Sequence, residues 1–138
     1  MAAVNIIVTG LSGFLGSSIK KNYHGDIYGI GRHQPTDFQG VFFKKNLGES
    51  TCYTECCEGI GVVIHCAARA HIMNDEVVDP LAEYRRVNVS GSLNLAQQAA
   101  DAGVKRFIYI SSIKVNGEST SGSVPFTEKD TAEPLDPY

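Results

Sequence analysis

Short apolar runs and longer amphipathic stretches alternate along the whole chain. Val4-Asn5-Ile6-Ile7-Val8 is a β-branched run closed by Thr9-Gly10, and a continuous apolar run of this kind marks a strand covered on both faces. Phe14, Leu15, Ile19 and Tyr23 then recur at helical spacing and predict a helix from Phe14 to about Asn22. Asp26 to Ile30 reads as a second strand. Val41 to Lys44 reads as a third, after a loop carrying Pro35 and Gly40. A short helix is expected over Thr51 to Glu58, and a fourth strand over Val62-Val63-Ile64-His65-Cys66. From Pro80 to Ala102 the positions Leu81, Tyr84, Val87, Leu93, Leu95 and Ala99 predict one long helix that contains Gly91 and stops at Gly103, a natural C-terminal cap. Phe107 to Ile110 is the fifth strand, followed by Ser111-Ser112. Gly117 to Pro137 is rich in Gly, Ser, Thr and Pro and reads as loop.

Strands alternating with helices need crossover connections, which are right-handed and build a parallel sheet. The fold expected is therefore α/β, a Rossmann-type doubly wound sheet of order 3-2-1-4-5, with its ligand crevice at the carboxyl ends of strands 1 and 4. One motif falls on that crevice. In Val8-Thr9-Gly10-Leu11-Ser12-Gly13-Phe14-Leu15-Gly16 the glycines recur at every third position, after a predicted strand and into a predicted helix. Gly10 lets the chain turn tightly, Gly13 lets backbone amides approach an anion, and Gly16 allows the helix to pack against the sheet. A pyrophosphate would then sit at the positive end of the helix, contacted by Gly10, Ser12, Gly13, Phe14, Leu15 and Gly16.

Charge and composition mainly exclude. A net charge of −3 over 138 residues offers nucleic acid or an anionic membrane no electrostatic footprint. No stretch approaches the roughly 20 apolar residues of a membrane span, and the N-terminus lacks the pattern of a secretory signal. Cys52, Cys56, Cys57 and Cys66 invite a metal reading, but no second ligand pair follows at metal spacing. Free thiols in a reducing cytoplasm and no metal are expected. The chain stops at Tyr138 directly after Pro-Leu-Asp-Pro with no terminal helix pattern. That ending reads as an interrupted nucleotide-binding domain whose substrate-binding part lies elsewhere.

The turn Thr9-Gly10-Leu11-Ser12-Gly13-Phe14-Leu15-Gly16 resembles that of the extended short-chain dehydrogenase/reductases, the NAD-dependent epimerase/dehydratase group. Four further segments resemble the same family in order: His65-Cys66-Ala67-Ala68; Val87-Asn88-Val89 through Gly91 to Asn94-Leu95; Ile110-Ser111-Ser112 through Val115 to Gly117; and Asp136-Pro137-Tyr138. The resemblance implies that NAD or NADP is bound in this half, with Cys66, Ala67, Ala68 and Asn88 beside it. It implies a nucleotide-sugar substrate of the UDP-hexose class, and a homodimer in the full-length parent. Two departures touch the cofactor. A carboxylate about 20 residues after the glycine turn normally holds the adenosine ribose of NAD, whereas this chain offers Gly31-Arg32. An arginine can pair with a 2′-phosphate, so the choice leans slightly to NADP; it can also stand in solvent or stack on adenine. Asn46-Leu47 stands where relatives often carry Asp-Leu near adenine, and Asn can still bond the adenine amino group.

The resemblance also implies the chemistry. Tyr138 corresponds to the family's general acid/base, and Ser112, with Ser111 as its neighbouring alternative, to the hydroxyl that bonds the reacting oxygen. The family's lysine four residues beyond the tyrosine falls past the end of this chain. Three outcomes share hydride transfer at sugar C4: epimerisation, 4-keto reduction and dehydration. Dehydratases usually carry Asp-Glu after the active-site hydroxyl, and Ile113-Lys114 stands here instead, which disfavours dehydration. The phrases Ala68-Arg69-Ala70-His71-Ile72-Met73 and Ser111-Ser112-Ile113-Lys114-Val115-Asn116-Gly117-Glu118 resemble bacterial UDP-N-acetylhexosamine 4-epimerases and related 4-ketoreductases of surface-polysaccharide synthesis. His71 could approach substrate, though a solvated loop histidine is the plainer reading. A non-catalytic NAD(P)-binding sensor or scaffold on the same fold is the rival from another class. It predicts loss of Ser112 or Tyr138, and both are present. The 138-residue chain alone is expected not to turn over; substantial hydride transfer by the purified polypeptide, followed as nicotinamide absorbance, would refute this.

Overall fold

A computed structural model describes residues 4–70, 78–120, 122 and 124–138 of the chain. Its strands are β1 (Ile6–Thr9), β2 (Ile27–Gly31), β3 (Phe42–Lys44), β4 (Val62–His65) and β5 (Arg106–Tyr109). They form one sheet of order β3-β2-β1-β4-β5, with every pair parallel. β1 is central, pairing Val8 with Gly29 on one side and with Ile64 on the other. This is the doubly wound order expected from the alternation of elements.

Side chains alternate across a pleated strand, so β1 feeds two cores. Ile7 joins Val63, Ile30 and Leu95 on one face, whereas Ile6 and Val8 join Leu11 and Phe38 on the other. Helix α1 (Phe14–Asn22) covers the second face through Ile19, with Tyr23 just past its end. The first face is covered by the single-turn α2 (Thr54–Cys57) and by α4 (Ser92–Asp101). Cys56 and Cys57 are core residues there, and burial pushes the Cys56 thiol up to about 12. All four cysteines are free thiols, with Cys52 exposed and Cys66 half-buried. Among the described residues no helix is long and apolar enough to cross a membrane.

The long helix departs from the expected regularity. It begins as α3 (Pro80–Tyr84), with Asp79 accepting the Ala82 amide as its N-cap, widens into a π-helical stretch over Arg85–Gly91, and resumes as α4. Leu93 and Leu95 are both apolar, but residues two apart on a helix cannot share a face. Leu95 is fully buried and Leu93 is 65% exposed. Leu81 is likewise exposed. In α1 the same correction applies to Phe14, which is 95% exposed at the helix start and contributes nothing to the core. The short α2 helix is four residues long, half the expected stretch. Its N-terminal flank is non-helical, with the Tyr53 amide donating to Gln98 on α4 and the Thr51 hydroxyl to the Asn46 carbonyl in the β3 loop. β5 lies at the sheet edge, with Ile108 and Tyr109 exposed.

Leu95→Ala is expected to destabilise the chain by about 2–5 kcal/mol, and Leu93→Ala by less than about 0.5 kcal/mol. Urea unfolding of the two variants measures both, and equal losses would contradict this packing.

Candidate functional site

The turn between β1 and α1 is built by backbone approaching backbone. Gly10 adopts φ +75°, a conformation side chains disfavour. A methyl group there would lie 3.0 Å from the Ala67 nitrogen, against the loop leaving β4. A methyl at Gly16 would overlap the Gly10 carbonyl oxygen and come within 2.8 Å of Leu11 Cα. Gly16 thus packs the helix against the turn itself, where the sequence suggested packing against the sheet. Gly13 is extended and exposed as the N-cap, and its N–H donates to the Gly10 carbonyl at 3.0 Å. The amides of Phe14, Leu15 and Gly16 make up the first turn, where helical N–H groups lack partners within the helix. No side chain caps this end and no acidic residue lies in its first turn. The helix dipole there is unneutralised and favours an anion. Ser12 is exposed beside it.

Directly beneath the turn runs a buried polar relay. Thr9 Oγ1 accepts the Ala67 amide at 2.9 Å and lies 2.7 Å from His65 Nδ1; His65 Nε2 lies 2.8 Å from Ser92 Oγ. The ring is flanked by Phe107 and Tyr109 at 5.9 and 5.7 Å. Burial pushes the imidazole pKa down to about 4, so it is neutral at ordinary pH, one nitrogen donating and the other accepting. The relay ties β1, β4 and α4 together at the carboxyl edge of the sheet.

Cys66, Ala67 and Ala68 follow β4 beside this relay. Asn88, in the π-helical stretch, spends both ends of its amide on one residue of that loop: Oδ1 accepts the Arg69 N–H at 2.7 Å and Nδ2 donates to the Arg69 carbonyl at 2.9 Å. The Arg69 guanidinium lies 5.4 Å above the Tyr84 ring, and Tyr84 meets Tyr138 edge-on at 6.4 Å. Tyr138 therefore sits by α3 and the β4 loop. Ser112 ends the β5 connection, half-buried, and its Oγ accepts the Lys114 amide at 3.2 Å; Ser111 is exposed. Lys114 bridges to Asp136 at 2.7 Å and to Glu118 at 3.4 Å, and Glu133 N–H donates to the Val115 carbonyl at 2.8 Å. These contacts fold the C-terminal segment back on the Ser112 loop. His71 lies outside the described residues.

Arg32, exposed, follows the end of β2. Asn46 and Leu47 follow β3, the first exposed and the second half-buried. Gly91 lets the long helix touch this loop: a methyl there would lie 3.0 Å from both the Gly48 nitrogen and Leu47 Cγ. Nearby, the Thr54 hydroxyl and amide, and then the Lys45 ammonium, hold the Cys52 thiol below its usual pKa. Among the described residues no three His, Cys, Asp or Glu side chains gather to hold a metal.

Sheet order, glycine turn and open helix start define a Rossmann-type architecture. The family model described as "NAD dependent epimerase/dehydratase family" matches residues 6–138, and the chain belongs to that family. It is 43% identical to a UDP-glucose 4-epimerase of Vibrio cholerae, over 97% of this chain and 42% of that protein. Among solved structures it is similar to MoeE5 in complex with UDP-glucose and NAD, with a TM-score of 0.80, 26% identity, and coverage of 97% of this chain and 44% of that one. It is also similar to a UDP-N-acetylglucosamine 4-epimerase of Methanobrevibacter ruminantium M1, with a TM-score of 0.78, 25% identity, and coverage of 100% and 46%. The chain thus spans less than half the length of these relatives.

Of the residues that hold this site, Ser92 is unmarked in the sequence, Tyr84 stands out only as a position on the long helix, and Lys114 only as a missing carboxylate. Thr9 shows there as a hydroxyl closing an otherwise apolar strand. The relay has a measurable consequence. His65 resists protonation when folded but not when unfolded, so below about pH 6.5 the unfolded state binds the extra proton. Stability falls with pH until the folded pKa of about 4 is reached. The expected loss between pH 7.5 and pH 5 is about 2 kcal/mol. Urea titrations read it, and a His65→Gln variant with the same pH slope would contradict it.

Proposed function

We propose that this chain binds NAD or NADP across the carboxyl edge of its sheet, as the nucleotide-binding half of a nucleotide-sugar 4-epimerase of the UDP-glucose or UDP-N-acetylglucosamine type. One observation carries the reading: a helix start with neither side-chain cap nor acid, opened by a turn in which Gly10 and Gly16 leave no room for a Cβ. Backbone amides of Phe14, Leu15 and Gly16 would bind the pyrophosphate, with Gly10, Ser12 and Gly13 shaping the cradle. Arg32 and Asn46-Leu47 would meet the adenosine end, and Cys66, Ala67, Ala68 and the loop fixed by Asn88 the opposite side. When bound, the nicotinamide supplies a hydride acceptor and donor for sugar C4. Tyr138 would take the proton of the sugar hydroxyl and return it, while Ser112 orients the same oxygen. Tyr84 and the Lys114–Asp136 bridge hold the segment that carries Tyr138.

A second reading, an NAD(P)H-dependent UDP-4-keto-sugar reductase, is favoured by Arg32, since a 2′-phosphate matches a guanidinium and a reductant consumed at each turnover is commonly NADPH. The NAD-bound state of MoeE5 weighs the other way. Cytoplasmic residence, a role in polysaccharide synthesis and a homodimer of the complete protein belong to the same proposal.

Calorimetry of the 138-residue chain should show one NAD or NADP site and no turnover of UDP-N-acetylglucosamine. A chimera joining residues 1–138 to the remainder of the Vibrio cholerae relative should interconvert UDP-N-acetylglucosamine and UDP-N-acetylgalactosamine without net nicotinamide consumption. Tyr138→Phe in the chimera should slow it about 10²–10⁴-fold. Stoichiometric NADPH oxidation would select the reductase, and absence of any nucleotide binding would overturn the proposal.

A further inference from the structure

The loop after β3 looks unsupported in the sequence, yet it is fastened at every second or third residue. Asn94 Nδ2 donates to the Gly48 carbonyl at 2.9 Å and to the Thr51 carbonyl at 2.8 Å. Gln98 Nε2 donates to the same Thr51 carbonyl at 2.8 Å and to Asn94 Oδ1 at 2.7 Å, and Gln98 Oε1 accepts the Tyr53 N–H at 2.6 Å. The bonds continue upward. Tyr53, fully buried, donates its hydroxyl to the Asn46 carbonyl at 2.9 Å, and Thr51 Oγ1 donates to the same carbonyl at 3.0 Å. The Gly48 N–H reaches the Tyr53 oxygen at 3.4 Å. Gly91, Asn94 and Gln98 lie three and four residues apart, so they form one stripe of the helix. Gly91 brings that stripe against the loop, and the two amides fasten it.

We propose that Asn94 and Gln98, acting through Thr51 and Tyr53, are positioning residues for the adenosine end of the bound nucleotide. They fix the backbone of Asn46 and so set where the Asn46-Leu47 edge stands at the carboxyl end of β3, the rim on which a doubly wound sheet holds its ligand. Two features favour this over simple packing. The bonds go to loop backbone, where an apolar stripe would have covered the sheet as well. And the two residues they fasten, Thr51 and Tyr53, both donate a hydroxyl to a single carbonyl, that of Asn46, whose own residue is exposed at the rim. The inference rests on the proposed nucleotide site, but concerns only its adenosine end.

The test compares two probes that share the glycine turn and differ at the rim: inorganic pyrophosphate and ADP, titrated calorimetrically into the chain and its variants. Gln98→Met and Tyr53→Phe should each weaken ADP about five- to tenfold, a hydrogen-bond-sized effect, and leave pyrophosphate within about twofold. Tyr53→Phe keeps the buried ring, and its folding is checked by circular dichroism, so it decides the matter if Gln98→Met does not fold. Unchanged ADP affinity in folded Tyr53→Phe overturns the inference alone. So does equal weakening of both probes, which marks a general structural effect. A wild-type chain that binds neither probe overturns the proposed function and this inference with it.

Discussion

Between the first strand and the first helix, two stretches of backbone meet with no side chain between them. The Gly10 carbonyl and Leu11 Cα occupy the space that any Cβ at Gly16 would need, and the Ala67 backbone fills the space beside Gly10. This approach lets α1 begin at Phe14, one tight turn after β1 ends at Thr9, while the loop leaving β4 lies against the same turn. The rest of the site inherits its position from that contact. The uncapped helix end points over the sheet edge because the turn is tight. The β4 loop stays beside it because Thr9 and His65 secure it from below.

Polar groups in this structure do mostly architectural work at the places where strands end. A buried neutral imidazole costs little when both nitrogens have partners, and His65 bonds to Thr9 on one side and Ser92 on the other. Asn88 applies the same economy to a loop, using both halves of one amide on the backbone of Arg69. The result is a rim of loops, at β1, β3 and β4, each fixed by side chains from the long helix or from a neighbouring strand. The π-helical widening in the middle of that helix carries both Asn88, which reaches the β4 loop, and Gly91, which meets the β3 loop. Such widenings are frequent at functional sites.

Strand order and the glycine turn were legible in the sequence because both follow from period and spacing. Five apolar runs with helical stretches between them leave few topologies, and glycines at three-residue intervals after a strand have a specific mechanical reading. Legibility failed where apolar character was mistaken for burial. Phe14 and Leu93 carry apolar side chains, but helix rotation turns both outward. It failed again for Tyr53 and Gln98, whose bonds to backbone 5 to 47 residues away leave no periodic trace. Ser112 and Tyr138 were named only through resemblance, and the contacts that hold Tyr138 in place, Tyr84 and the Lys114–Asp136 bridge, come from parts of the chain that no local pattern connects.

The unequal environments of the cysteines make the chain a ready substrate for site-selective labelling. Cys56 and Cys57 are sealed in the core, with the first held almost entirely as thiol, and Cys66 is half-covered. Cys52 is exposed beside Thr54 and near Lys45, in a setting that promotes the reactive thiolate. A maleimide dye used sparingly near neutral pH would therefore enter at Cys52, next to the segment fastened by Gln98, and report movement of that rim without any engineered handle.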